Sequence, residues 1–102
     1  MPFVRVCSES DLPASGMLRR NINGQAVAVY RVEADYYATA AICTHAEADL
    51  TKGRLEGVRV VCPLHGARFD VRSGRVLSPP ASRPLRTFAT RVADGQVEVE
   101  LP

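Results

Sequence analysis

Cys43-Thr44-His45 and, after sixteen intervening residues, Cys62-Pro63-Leu64-His65-Gly66 are the stretches on which the reading of this chain turns. The chain has two histidines, and both fall in these segments. Each segment sets a thiolate beside an imidazole on a short loop, which is a metal-ligand pattern. Soft sulfur and imidazole nitrogen together suit iron–sulfur clusters or zinc, so ligand type alone does not choose between them. A Cys-x-His step is unusual for compact zinc fingers, in which a loop commonly contributes two cysteines or two histidines. The third cysteine, Cys7, sits in an apolar stretch with Val4 and Val6 and is expected to be a half-buried strand residue rather than a ligand. Three cysteines cannot form a complete disulfide set, and in a reducing compartment such residues bind metal more often than they pair.

Outward from the two loops the texture changes. Residues 41–84 hold both loops together with Gly53, Gly57, Gly66 and Gly74 and Pro63, Pro79, Pro80 and Pro84, punctuation typical of loops held in fixed conformations. On either side the apolar residues alternate with polar ones at strand period, and no helical stripe lasts over three turns. Val4 and Val6 open a first strand. Residues 17–23 and 26–32 flank Asn23-Gly24, a dipeptide suited to a type I′ hairpin turn, and residues 36–40 continue the sheet. Residues 85–92 and 96–101 flank a second such signal at Asp94-Gly95, with Val97, Val99 and Leu101 on one face and Gln96, Glu98 and Glu100 on the other. The expected architecture is all-β: an antiparallel β-sandwich-like base from about residues 1–40 and 85–102, with an inserted unit of about 41–84 carrying the loops. Residues 58–61 and 67–71 are expected to be short strands delivering the second loop.

A length of 102 residues with 46% hydrophobic and 24% charged residues fits one globular domain, spanning 1–102, and argues against disorder. No apolar run nears the roughly 18 residues of a membrane span, and Met1-Pro2-Phe3-Val4-Arg5 lacks the start of a secretory leader, so a cytoplasmic protein with no membrane association is expected. A net charge of +2, with twelve arginines and Lys52 scattered along the chain, gives no nucleic-acid footprint and reads as a solvated surface. There is no Gly-x-Gly-x-x-Gly dinucleotide fingerprint, and beyond His45 and His65 no histidine is left for an oxygenase iron site. The chain is therefore expected not to be an enzyme.

The two segments, with Ser78-Pro79-Pro80 after them, resemble the Rieske proteins, and the resemblance covers the whole chain. It implies the Rieske fold and one [2Fe-2S] cluster, with Cys43 and Cys62 on one iron and His45 and His65 on the other. With two neutral imidazoles in place of two thiolates the oxidised core is formally neutral, which makes it easier to reduce. Rieske centres accordingly lie at roughly −150 to +300 mV, against about −400 mV for plant-type ferredoxins. High-potential respiratory members add a disulfide-forming cysteine in each loop, and serine and tyrosine hydroxyls that donate to cluster sulfurs. Here Ala48 and Leu64 occupy the cysteine positions, Ala67 the serine position and Phe69 the tyrosine position. The expectation is a potential near the low end and a likeness to the soluble Rieske ferredoxins of bacterial multicomponent aromatic-ring dioxygenases.

Those relatives imply a monomeric electron carrier. It would pass single electrons from an NAD(P)H-dependent flavoprotein reductase to a terminal aromatic-ring-hydroxylating oxygenase through transient contacts. Ala46, Glu47, Leu64 and Pro80 would form the docking tip, Pro79 and Pro80 would cover the cluster, and Gly66 would allow backbone to approach a sulfide closely. Glu47 stands where the family often has glycine, and Thr44 has an open choice between sulfur and solvent. Two other readings stand beside this one: a Rieske-like small subunit of a nitrite reductase-type complex, and a zinc-stabilised interaction module.

Overall fold

The structure is a computed structural model that describes residues 2–44, 46–81 and 83–102; His45 lies outside the described residues. Its strands are β1 (Phe3–Ser8), β2 (Met17–Ile22), β3 (Gln25–Val32), β4 (Asp35–Ala40), β5 (Arg54–Glu56), β6 (Arg59–Val61), β7 (Arg68–Asp70), β8 (Val76–Ser78), β9 (Thr87–Phe88), β10 (Thr90–Ala93) and β11 (Gln96–Glu100). They form three antiparallel sheets in the orders β1-β11-β10, β2-β3-β4-β9 and β5-β6-β7-β8. Among the described residues no helix is long and apolar enough to cross a membrane.

Both hairpin signals act as expected. Asn23 and Gly24 have φ of 51° and 81°, and Asp94 and Gly95 have 52° and 74°, so each pair adopts the left-handed conformations that a type I′ turn needs. The alternation of β11 is also realised: Val97, Val99 and Leu101 are buried while Gln96, Glu98 and Glu100 are not. β3 has no such alternation, because Val27, Ala28, Val29 and Tyr30 are all fully buried. Val27 and Val29 pack with Val6, Phe88, Val97 and Val99 between the first two sheets. Ala28 and Tyr30 pack on the opposite face with Val60, Phe69 and both loop cysteines. The middle sheet therefore serves two cores, and a strand covered on both faces reads as a continuous apolar run. Tyr30, deep in the second core, satisfies its hydroxyl against Thr39 Oγ1 at 2.9 Å.

Three features depart from the sequence reading. The strand expected over 85–92 is split into β9, which pairs with β4, and β10, which pairs with β11. The chain changes sheets at Ala89, whose carbonyl accepts from the Glu100 amide at 2.9 Å, while Thr90 Oγ1 reaches back to the Tyr36 carbonyl at 2.7 Å. The two strands read at 58–61 and 67–71 are the centre of a four-stranded sheet, since β5 and β8 flank them. At three residues each, β5 and β8 are too short for periodicity to register. Cys7 is fully buried rather than half-buried. A bulge between Arg5 and Cys7 turns Val6 and Cys7 both inward, breaking the alternation that the sequence pattern assumes.

Candidate metal centre

The two cysteine loops close in the same way. The Cys43 amide donates to the Ala48 carbonyl at 2.9 Å, and the Cys62 amide donates to the Ala67 carbonyl at 2.8 Å, so each cysteine is bonded to the residue five positions on. The first loop leaves β4 and is pinned at its far end by Asp49. That carboxylate accepts from the Thr51 amide at 2.9 Å and hydroxyl at 2.6 Å, and from Arg19 on β2 at 3.1 Å. The second loop leaves β6 and enters β7 through His65 and Gly66, whose φ of 65° and 73° turn the chain sharply back. A left-handed conformation is natural for Gly66 and uncommon for a residue such as His65.

These loops bring Cys43 and Cys62 together. Both are free thiols, 4% and 2% exposed, and the side chain of Cys62 lies within hydrogen-bonding reach of Cys43. Burial pushes the Cys62 thiol up, the Leu64 amide donating to its sulfur pulls the other way, and Cys43 pushes it up further. His65 lies at the exposed tip with Pro63 and Leu64, and among the described residues no group of three candidate ligands gathers around one point. A two-iron centre divides its ligands between metals and does not require such a group. Cys7 belongs to the other core, away from both loops.

The chain matches the Rieske [2Fe-2S] domain model over residues 2–89. It belongs to the Rieske family. The ferredoxin component of the naphthalene 1,2-dioxygenase/salicylate 5-hydroxylase systems of Ralstonia sp is 35% identical over 91 residues, 89% of this chain and 88% of that one. The ferredoxin in a complex with the reduced oxygenase of carbazole 1,9a-dioxygenase is 40% identical, with a TM-score of 0.89 over 95% of this chain and 91% of that one. A protein assigned to the nitrite reductase NADPH small subunit also shares the fold, at 25% identity and a TM-score of 0.83 over 99% of this chain and all of that one. This Rieske protein is thus a ferredoxin of the aromatic-ring-hydroxylating dioxygenase type, an electron carrier rather than a catalyst. Its cofactor is one [2Fe-2S] cluster. The residues described fit that group: two buried, touching thiols that have not closed into a disulfide could supply thiolate ligands, and His65 is exposed on the adjoining turn.

Asp49 is not singled out in the sequence, and Thr44, read there as facing sulfur or solvent, takes a backbone partner instead. Thr44 Oγ1 donates to the Arg83 carbonyl at 2.7 Å, and the Arg83 guanidinium donates to the Thr44 carbonyl at 3.2 Å. This reciprocal pair latches the segment after Pro79-Pro80 onto the first loop, and thirty-nine residues of separation leave no local signal for it. Burial alone would raise the Asp49 carboxyl, but the Thr51 hydroxyl and amide and then Arg19 outweigh that and hold it below the usual value. A depressed carboxyl adds stability above its unfolded-state value of about 3.9, and that stability is lost as pH falls through the folded value. Asp49→Asn should cost about 1 kcal/mol at pH 7, and the gap from the parent should narrow as pH falls toward about 3. Urea unfolding at stepped pH checks this; a gap independent of pH would remove the charge from the account.

Proposed function

We propose that this ferredoxin takes single electrons from an NAD(P)H-dependent flavoprotein reductase and delivers them to a terminal aromatic-ring-hydroxylating oxygenase. In this reading Cys43 and Cys62 hold one iron, and His45 and His65 the other. The observation that carries it is the polarity of the site: two thiols meet inside the core while His65 stands on an exposed turn beside Leu64, which is 47% exposed. When bound, the cluster supplies a one-electron site that cycles without proton or atom transfer to substrate. The chain's own residues do the rest. The packed core behind Cys43 and Cys62 excludes water from the sulfur pole. His65 and its neighbours offer an edge to a partner. Ala81 and Leu85 pack in the same core as the cysteines, and the Thr44–Arg83 latch holds the segment between them near the first loop, which supports a covering role for Pro79 and Pro80.

The exposed tip of Pro63, Leu64, Glu47 and Pro80, with half-buried Ala46, suits a small transient contact, below about 1,200 Å² in total. The same reading makes the protein cytoplasmic and monomeric, without nucleic-acid or membrane partners. It divides the domain into a base of about residues 1–40 and 85–102 and a cluster-binding unit of about 41–84. The three sheets support this division, because β5 to β8 pair only with one another.

Film voltammetry of the iron-replete chain should give a reversible one-electron wave near the low end of the Rieske range, about −150 mV. Ala67 and Phe69 are fully buried and bring no hydroxyl to the site. Phe69→Tyr should raise the potential by about 40 mV, the one-electron equivalent of about 1 kcal/mol for a hydrogen bond favouring the reduced state. A folded, iron-replete protein without a wave would sink the carrier reading. An unshifted potential in Phe69→Tyr would remove this ring from the control of potential.

A further inference from the structure

Charge is divided unevenly over this fold. Residues 50–86, which build the third sheet, the second cysteine loop and the Pro-Pro segment, carry eight cations and two carboxylates, Glu56 and Asp70. The remainder carries five cations and nine carboxylates. A net charge of +2 thus conceals an excess of six positive charges on the part that delivers the second loop and a deficit of four elsewhere. The fold brings three of these cations, Lys52, Arg54 and Arg68, around one cleft.

These three lie beside Cys62 with one carboxylate, Glu56, among them. Asp70 is taken by Arg72 at 2.9 Å. Glu56 is shared by two guanidiniums, Arg54 at 2.7 Å and Arg68 at 3.8 Å. Lys52 is exposed and pairs with no carboxylate among the described residues. Arg54, Val61 and Arg68 lie in register across β5, β6 and β7, so the two arginines flank Val61. An open cleft of about 380 Å³ runs along this row, with Lys52, Pro63 and Cys62 also lining it. A basic cleft with an apolar floor, touching one of the proposed ligands, is a seat for carboxylate side chains on a protein surface.

We propose that this cleft docks an acidic surface of the electron-donating partner, the reductase, on the cysteine side of the cluster. The proposal rests on the electron-carrier reading above. Charge decides which partner. With the cluster held through Cys62, an accepted electron would add one negative charge to the centre adjoining the cleft and would weaken the hold of the cleft on carboxylates. An acidic partner is therefore bound by the oxidised carrier and released by the reduced one. That is the order a donor requires, whereas an acceptor requires the opposite. Charge complementarity of this type sets encounter rates and partner choice and is suppressed by salt.

The test is film voltammetry of the full iron-replete chain with poly-L-glutamate as the acidic surface. Tighter binding to the oxidised form lowers the potential, and a tenfold preference corresponds to about 59 mV for one electron. The expected result is a downward shift that disappears above about 0.5 M salt, where the Debye length falls to a few ångströms. The shift should be lost in the Lys52→Gln/Arg68→Gln pair, reduced in Lys52→Glu alone, and kept in Arg91→Gln, which removes a cation on β10 in the base. Each variant must retain the parent's visible spectrum, so that misfolding is not mistaken for lost docking. No shift, an upward shift, or a shift indifferent to Lys52 and Arg68 would overturn the proposal. So would a response to duplex DNA with none to poly-L-glutamate, which would make the patch a nucleic-acid surface. Failure to obtain any wave would instead overturn the carrier reading on which the proposal stands.

Discussion

Replacing Cys62 with alanine is expected to leave a protein with no iron–sulfur signal and a weakened core. The thiol lies 2% exposed within the apolar cluster that includes Val60, Phe69 and Cys43, and it touches the Cys43 side chain. Its removal takes away one of the two proposed thiolate ligands, and because a metal site rarely exists preformed in the unfolded chain, metal-binding energy is also folding energy. His65→Ala separates these contributions. His65 is exposed, so its loss costs little packing yet should also abolish the reduced-state paramagnetic resonance signal; His45→Ala should do the same. Cys7→Ala is the counter-case. That residue is buried just as deeply, in the other core, and its replacement should cost about 1–2 kcal/mol while iron and sulfide content stay unchanged. An unchanged cluster in Cys62→Ala or His65→Ala would overturn the ligand assignment.

Much of this was legible in the sequence because its signals are local. Asn23-Gly24 and Asp94-Gly95 dictate their hairpins through backbone conformations that few other dipeptides adopt. Cys-x-His and Cys-x-x-His name a donor set before any folding is considered. What stayed hidden depends on residues far apart in the chain. The break between β9 and β10 arises because the strand must serve two sheets, and no feature of Thr87-Phe88-Ala89-Thr90 announces it. The Thr44–Arg83 latch and the gathering of cations around Cys62 exist only after β5 to β8 have assembled. The matching closures at Ala48 and Ala67 also lay beyond sequence reading, because alanine carries no hydrogen-bonding signature of its own and the bond is made by its backbone.

Gly53 gives the second large effect, and one whose sign generic reasoning gets wrong. Glycine to alanine at a site with ordinary φ commonly stabilises, by about 0.4–1 kcal/mol, because it reduces the freedom of the unfolded chain. Gly53 has a φ of −85°, so the left-handed argument does not protect it. Space does. A Cβ there would lie 1.9 Å from the Val61 carbonyl oxygen, 3.1 Å from the Val61 carbonyl carbon and 3.2 Å from Pro63 Cδ. The obstructing atoms are mainly backbone, and Val61 is held between β5 and β7 in the middle of its sheet, so rotamer adjustment cannot relieve the contact. Either the turn at Leu50–Lys52 lifts away, with loss of the Leu50 packing and the Asp49 anchor, or the peptide leading into Cys62 shifts. Gly53→Ala is therefore expected to destabilise by about 3 kcal/mol and to lower iron content in the same preparation, since the displaced peptide precedes a proposed ligand. Gly57 supplies the comparison: its φ is 62° but a Cβ there would meet nothing within 4 Å, so Gly57→Ala should cost only about 1 kcal/mol and leave the cluster intact. Urea unfolding with iron analysis on both variants decides the matter. A Gly53→Ala protein as stable and iron-replete as the parent would mean that the turn and the second loop are not packed as tightly as this contact requires.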